Sequence, residues 1–205
     1  LLNVGFGQTT YTWNTTDGDW QTSTNWTPER TSPASDDKLV FNSGATFTVS
    51  NIPEEEIESI SISGYTIVTF NALDAGTTLT LNNTSSYALT IENGSSLSLI
   101  AVEDEAGTTL AGAFLINLTT AEIFGAINCY AIAPEGYDPQ SSYNHKIVTS
   151  SLITFGSSSS FTYGPYTTSI PLDGPAVNTI QFESGSTFIN ITGSNPSTDV
   201  QFKSG

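Results

Sequence analysis

From Lys38 onward the large apolar residues come in pairs one residue apart: Leu39/Phe41, Phe47/Val49, Ile60/Ile62, Leu79/Leu81, Leu89/Ile91, Leu97/Leu99, Ile153/Phe155, Ile180/Phe182 and Ile189/Ile191. A period of two in runs this short predicts β-strands with one face buried, because successive side chains leave a strand on opposite sides. No window holds a helical period. The best candidate, residues 53 to 61 with its run of Glu, is too short and leads at once into a strand.

The turns between these strands are related. Gly44, Gly76, Gly94, Gly107 and Gly185 each stand three residues before a large apolar side chain, and the phrases FNSGATF (41 to 47), FGSSSSF (155 to 161) and FESGSTF (182 to 188) share one design. The last of these lies 27 residues after the one before it, and FKSG comes 20 residues later. A unit of roughly 20 residues, too small to bury its own apolar face, predicts a stack of repeats. Phe, Leu and Ile would face inward, Gly would supply a positive φ at the corner, and Ser, Thr and Asn would face outward or ladder along the turns. The expected fold is all-β, a parallel β-helix. A β-sandwich is the alternative, since it also uses short strands at regular spacing.

The start has a different character. Trp13, Trp20 and Trp26 are the only tryptophans in the chain and fall close together. A stack of repeats needs its end covered, so residues 9 to 37 are expected to form an N-terminal cap ahead of repeats spanning 38 to 205. An aromatic sugar-binding platform is the functional alternative for the three rings. Residues 1 to 8 resemble the apolar tail of a secretory signal peptide, with small Gly5 and Gly7 near its end. The other end stops inside a repeat, which predicts a longer parent chain.

Composition narrows the function. Twenty acidic against four basic residues give a net charge of −16, which repels nucleic acid and anionic lipid alike. No stretch approaches the length of a membrane span. Cys129, the single cysteine, sits in an apolar run and is expected to be a buried thiol. One histidine, His145, cannot build a multi-histidine metal site. No metal or other cofactor is expected. The acidic runs Glu54-Glu55-Glu56 and Glu103-Asp104-Glu105 are read as solvated faces or turns.

The pattern Tyr11-x-Trp13, Trp20, Asn25-Trp26, Pro33 and Asp36-Asp37-x-Leu39-Val40-Phe41 behind a signal-like segment resembles the start of large secreted surface proteins of Bacteroidetes-type bacteria. It is similar also to proteins with autotransporter-associated β-strand repeats. Asn144-His145-Lys146-Ile147, Ile153-Thr154-Phe155-Gly156 and Gly193-Ser194-Asn195-Pro196 resemble their repeats; residues 111 to 143 match that pattern least well. The resemblance implies a right-handed β-helix on the outer face of a Gram-negative cell and carries no catalytic motif with it.

The expected function is a non-catalytic structural or adhesive module, a stalk or surface-binding part of an exported protein, partnered by a surface glycan or other surface ligand and by further domains of its own chain. Tyr137, Tyr143, Tyr163 and Tyr166 are the candidate ligand contacts, because tyrosines on polar loops can stack on sugar rings. The alternative is a polysaccharide-binding or polysaccharide-degrading protein. A hydrolase needs two carboxylates about 5 to 10 Å apart; Asp36 and Asp37 are adjacent and would point apart if on a strand. Four basic residues are poor provision for a lyase of acidic glycans. Ice binding by Thr-x-Thr ladders fails on register, since the copies at 10, 22, 46 and 78 share none.

Overall fold

In the computed structural model, residues 8–72, 77–103, 110–111, 113–132, 145–164, 172–175, 179–190 and 200–202 are described. The signal-like residues 1 to 7 lie outside that range. The alternating runs are strands, and the chain is all-β. The only helical turn among the described residues is a 3-10 turn at Ser23–Asn25.

The strands recur in sets of three. Lys38–Phe41, Thr46–Ile52 and Glu55–Ile57 form one set, and Ser59–Ile62, Ile67–Ala72 and Thr77–Leu81 the next. Each strand pairs in parallel with its counterpart in the following set. The first members, from Thr10–Trp13 to Val200–Phe202, build one ladder, and the second members, from Gly18–Asp19 to Thr187–Asn190, build a separate sheet. The third members join the first sheet through the long strand Phe114–Ile123. Sandwich strands pair antiparallel; here only Thr10–Trp13 with Trp26–Thr27, and Ser96–Glu103 with Leu110–Ala111, do so among the described residues.

Register explains the core. In the first ladder Tyr11, Leu39, Ile60, Leu89, Ala121, Ile153, Ile180 and Val200 are successive Cα partners. Two residues on, Phe41, Ile62, Ile91, Ile123, Phe155, Phe182 and Phe202 form a second row. In the other sheet Phe47, Val68, Leu97, Ile127, Phe161 and Phe188 form a third. Like residues stack on like because a one-residue slip would turn each apolar face to water.

That rule corrects one expectation. The spacing of Ile189 and Ile191 predicts that both face inward, but Phe188 is in register with Phe161, so period two turns Ile189 outward, where it is 42% exposed. Ile191 lies outside the described residues.

Residues 111 to 143, the poorest match to the repeat, and the segment after them each contain a long strand that the glycine-corner pattern conceals. Phe114–Ile123 serves two ladders without a corner, its buried alternation interrupted only by the half-buried pair Thr119-Thr120. Lys146–Phe155 does the same with exposed Ser150-Ser151, and the register between these two strands shifts after Leu118. An inserted residue bends a strand here in place of a turn.

At the corners Gly44, Gly94 and Gly185 have φ of 70°, 81° and 92°, a region that side chains with a Cβ rarely enter. Gly76 and Gly107 lie outside the described residues. Hydroxyls ladder beneath the turns: Thr66 Oγ1 accepts the Gly44 N–H at 3.0 Å, and Ser95 Oγ accepts the Thr66 N–H at 3.2 Å. Thr66 and Ser95 are buried, so these hydroxyls replace solvent for the corner amides, while the buried Ser159 hydroxyl donates to Gly156 O at 2.7 Å.

Candidate functional site

Residues 9 to 37 carry the strands that end both sheet orders, Trp26–Thr27 in one and Gly18–Asp19 in the other. Strand Thr10–Trp13 lies along Lys38–Phe41, and Trp26–Thr27 covers its outer edge. Trp13 and Trp20 both meet Trp26 edge to face, with centroids 4.9 and 5.3 Å apart, and all three rings contact Phe41. Each indole N–H has a partner: Trp13 donates to Thr16 O, Trp20 to Glu55 Oε2 and Trp26 to Trp20 O. The rings are buried. They plug the core and present no open face to a sugar, so the platform expectation does not hold for them.

Beneath the rings lies Arg30. Its Nε donates to Asp37 Oδ2 at 2.8 Å, and its two terminal nitrogens donate to the two oxygens of Glu55. The guanidinium carbon is 5.8 Å from the ring centroids of Tyr11, Trp20 and Trp26. Glu55 occupies an inward row whose later members are Leu79, Ile116, Ile147 and Leu172. A carboxylate in that row needs a partner, and the planar guanidinium supplies a bidentate one.

This arrangement engages Asp37 and Glu55 as partners of Arg30. Asp37 is buried and also accepts the Ala34 N–H at 3.0 Å, while its neighbour Asp36 is exposed. Glu56 accepts Asn82 Nδ2 at 2.6 Å. The run Glu54-Glu55-Glu56 is thus split between water and the cap, with Glu55 the member that the solvated-face expectation misplaced. Among the described residues no three His, Cys, Asp or Glu side chains converge on a possible metal position.

Of the four candidate tyrosines, Tyr137, Tyr143 and Tyr166 lie outside the described residues. Tyr163 is a core residue, 0% exposed, in register with Val49, Phe70, Leu99 and Cys129. Its ring packs 5.7 Å from Phe188 and 6.2 Å from Phe161. The expectation that it presents a ring to a ligand is corrected: alternation from Phe161 carries Tyr163 inward, and Ser160–Tyr163 is strand, not loop.

Two further groups are structural. Cys129 is fully buried, and burial pushes its thiol far above the usual range. His145 is also buried: its Nδ1 accepts the Phe114 N–H at 3.1 Å, and its Nε2 lies 2.9 Å from Tyr130 O. Those partners assign the neutral tautomer with the proton on Nε2. Its ring stacks against Phe114, and burial lowers its pKa. Arg30, Glu55 and His145 had no recognisable sequence signal, because each works with partners 7 to 31 residues away.

A cleft of about 390 Å³ opens beside the cap against Trp20, Arg30, Pro33, Pro53 and Glu55. The described helical turn is too short to cross a membrane. The chain matches no protein-family model, no curated protein and no solved structure.

Proposed function

We propose that this chain is a non-catalytic structural or adhesive module of an exported bacterial cell-surface protein. Its three-strand sets wind as a right-handed parallel β-helix that serves as a stalk or a surface-binding body. One observation carries the reading: an eight-member row of Cα partners from Tyr11 to Val200 keeps register through spacers of 20 to 32 residues. Such a ladder suits a rigid spacer, since each repeat is held mainly by its neighbours.

The use of charge supports the same reading. Arg30, Asp37 and Glu55 satisfy one another inside the cap, where they seal an end. The outer face of Gram-negative cells is the proposed location, on the resemblance of the chain's opening to secreted surface proteins. Further domains of the parent chain and a surface ligand are the proposed partners.

Solution scattering on the purified chain, combined with incubation against neutral and acidic polysaccharides, tests this. The expected result is an elongated particle that releases neither reducing ends nor unsaturated uronates. A compact particle would overturn the stalk, and steady product release would overturn the non-catalytic assignment.

A further inference from the structure

We propose that the corner ridge bearing Tyr65 and Phe124 binds a neutral polysaccharide chain. This deepens the adhesive side of the reading above and names its ligand class. Most large apolar side chains of the described residues are buried; Tyr65 is 75% exposed and Phe124 39% exposed on the same ridge, and Ile67, Tyr87 and Ile189 are the other exposed ones. They belong to the corners after Ile62 and Ile123, and the corner after Ile91 lies between them. Two strand spacings therefore separate them, about 9.6 Å, comparable to the length of two linked pyranose rings.

Tyr65 is placed at a conformational cost, and Phe124 on a tightened corner. Tyr65 comes directly after Gly64, and both are left-handed, with φ of 62° and 64°. A bulky residue is a rare occupant of that region. Its ring rests on Gly94 of the next corner, where a Cβ would lie 2.5 Å from Tyr65 Cδ1. Phe124 sits on a two-residue corner, where the other described corners between the first and second strands of a set have four residues. That shortening requires Gly125, whose Cβ would fall 2.2 Å from Ser95 O. The Phe124 ring in turn rests on Gly156, at 2.4 Å from a Cβ built there. Glycines at both seats let the rings settle on backbone while the rest of each ring meets solvent.

Between the rings are Glu92 and Asn93. Together with Gly64, Tyr65 and Phe124 they line an open cleft of about 350 Å³. Glu92 Oε2 takes the Gly64 N–H at 3.3 Å, which holds the carboxylate at the cleft. Spaced aromatic rings accept the C–H faces of sugars. The carboxylate accepts sugar hydroxyls, and the Asn93 amide can both donate and accept. A chain of net charge −16 with Glu92 in the cleft repels uronates and sulfated glycans, so the ligand is an uncharged glycan.

Calorimetric titration of the whole chain with neutral gluco-, manno- and xylo-oligosaccharides of four to six residues tests the site, with an oligogalacturonate as the acidic control. One neutral series is expected to bind. Tyr65→Asn suits a positive φ and removes the ring, so it should keep the melting temperature or raise it while weakening binding at least tenfold. Phe124→Ser should weaken binding similarly. The proposal is overturned if no neutral series binds, if the acidic control binds best, or if both variants bind like the parent. It is also overturned if the ridge instead joins two copies, seen as a dimer by sedimentation that both variants abolish. A failure of binding with an elongated scattering profile intact would refute the subsite alone and leave the stack standing.

Discussion

The rings of Phe155 and Phe182 lie 4.3 Å apart and 2° from parallel, one above the other on successive strands. Phe182 also meets Phe188 edge to face across the corner, at 5.4 Å. The repeated phrase FESGSTF therefore places one ring on the ladder below and a second against its own first. Phe182→Ala should cost about 3 to 5 kcal/mol, the range for emptying a buried aromatic site. Phe182→Leu, which keeps most of the volume, should cost clearly less. Urea denaturation followed by circular dichroism measures both, and equal losses would show that the stacked ring itself, not the volume it fills, carries the contribution.

Arg30→Ala should destabilise the cap by about 3 to 5 kcal/mol, because Asp37 and Glu55 would be left charged and without their cation in a nearly dry site. Replacing the three together, as Arg30→Met with Asp37→Asn and Glu55→Gln, should recover much of that loss. The parent's stability should change little between low and moderate salt, since the Arg30 and Asp37 side chains are each only 2% exposed. A single-variant loss below about 1 kcal/mol would contradict the role assigned to Arg30.

His145 predicts a pH dependence with a definite sign. Burial lowers its folded pKa below the ordinary value of 6.5, partly offset by the bond to Tyr130 O. The unfolded chain then binds a proton more readily than the folded one. This contribution to stability is complete above pH 6.5, declines as pH falls below that value, and is lost once pH has passed through the folded pKa. Asp173, whose carboxyl is held low chiefly by its hydrogen bond from Lys146, acts only in more acid solution, below its ordinary 3.8. Denaturation midpoints from pH 7.5 down to 5 should fall in the parent and stay nearly level in His145→Phe, which starts from lower stability. Parallel slopes would refute the assignment.

Cys129 should resist thiol reagents in the folded chain. Burial keeps it protonated and inaccessible, and the thiolate is the reactive form. Labelling should therefore proceed at the rate of unfolding and accelerate with denaturant. Rapid modification in native buffer would show that the second sheet opens locally. Cys129→Ser, which sets a hydroxyl between Leu99 and Tyr163 in the core row, should cost about 1 to 3 kcal/mol.

Alternation in the sequence identified the strands best where a glycine corner separated them. Leu39/Phe41 and Ile180/Phe182 fall in core rows as their spacing implies. Phe114–Ile123 and Lys146–Phe155 were harder because their bends are made by pairs of Thr or Ser, which any polar stretch could contain. Tyr163 was hidden by its neighbours: Gly164-Pro165-Tyr166 reads as a turn, and the inward register inherited from Cys129 is not local information. The cluster of tryptophan rings was legible, but the electrostatics beside it were not. Nothing near Glu55 in the chain distinguishes it from Glu54 and Glu56; only its place in a row of Leu and Ile makes Arg30 necessary. Tyr65 and Phe124 drew no attention either, since their exposure arises from a left-handed turn and a shortened corner.

The three-strand sets make length a quantised property. Leu39, Ile60 and Leu89 are interchangeable members of one row, as are Thr46, Ile67 and Ser96 of another. Excising residues 60 to 88 would seat Leu89 on Leu39 and Ser96 on Thr46, with the cap and every later pairing still in phase. Excising one residue fewer would throw the first strand after the junction out of phase. Duplication and loss of whole sets is thus the cheapest path by which such a chain can change its reach, and single-residue drift is confined to the corners.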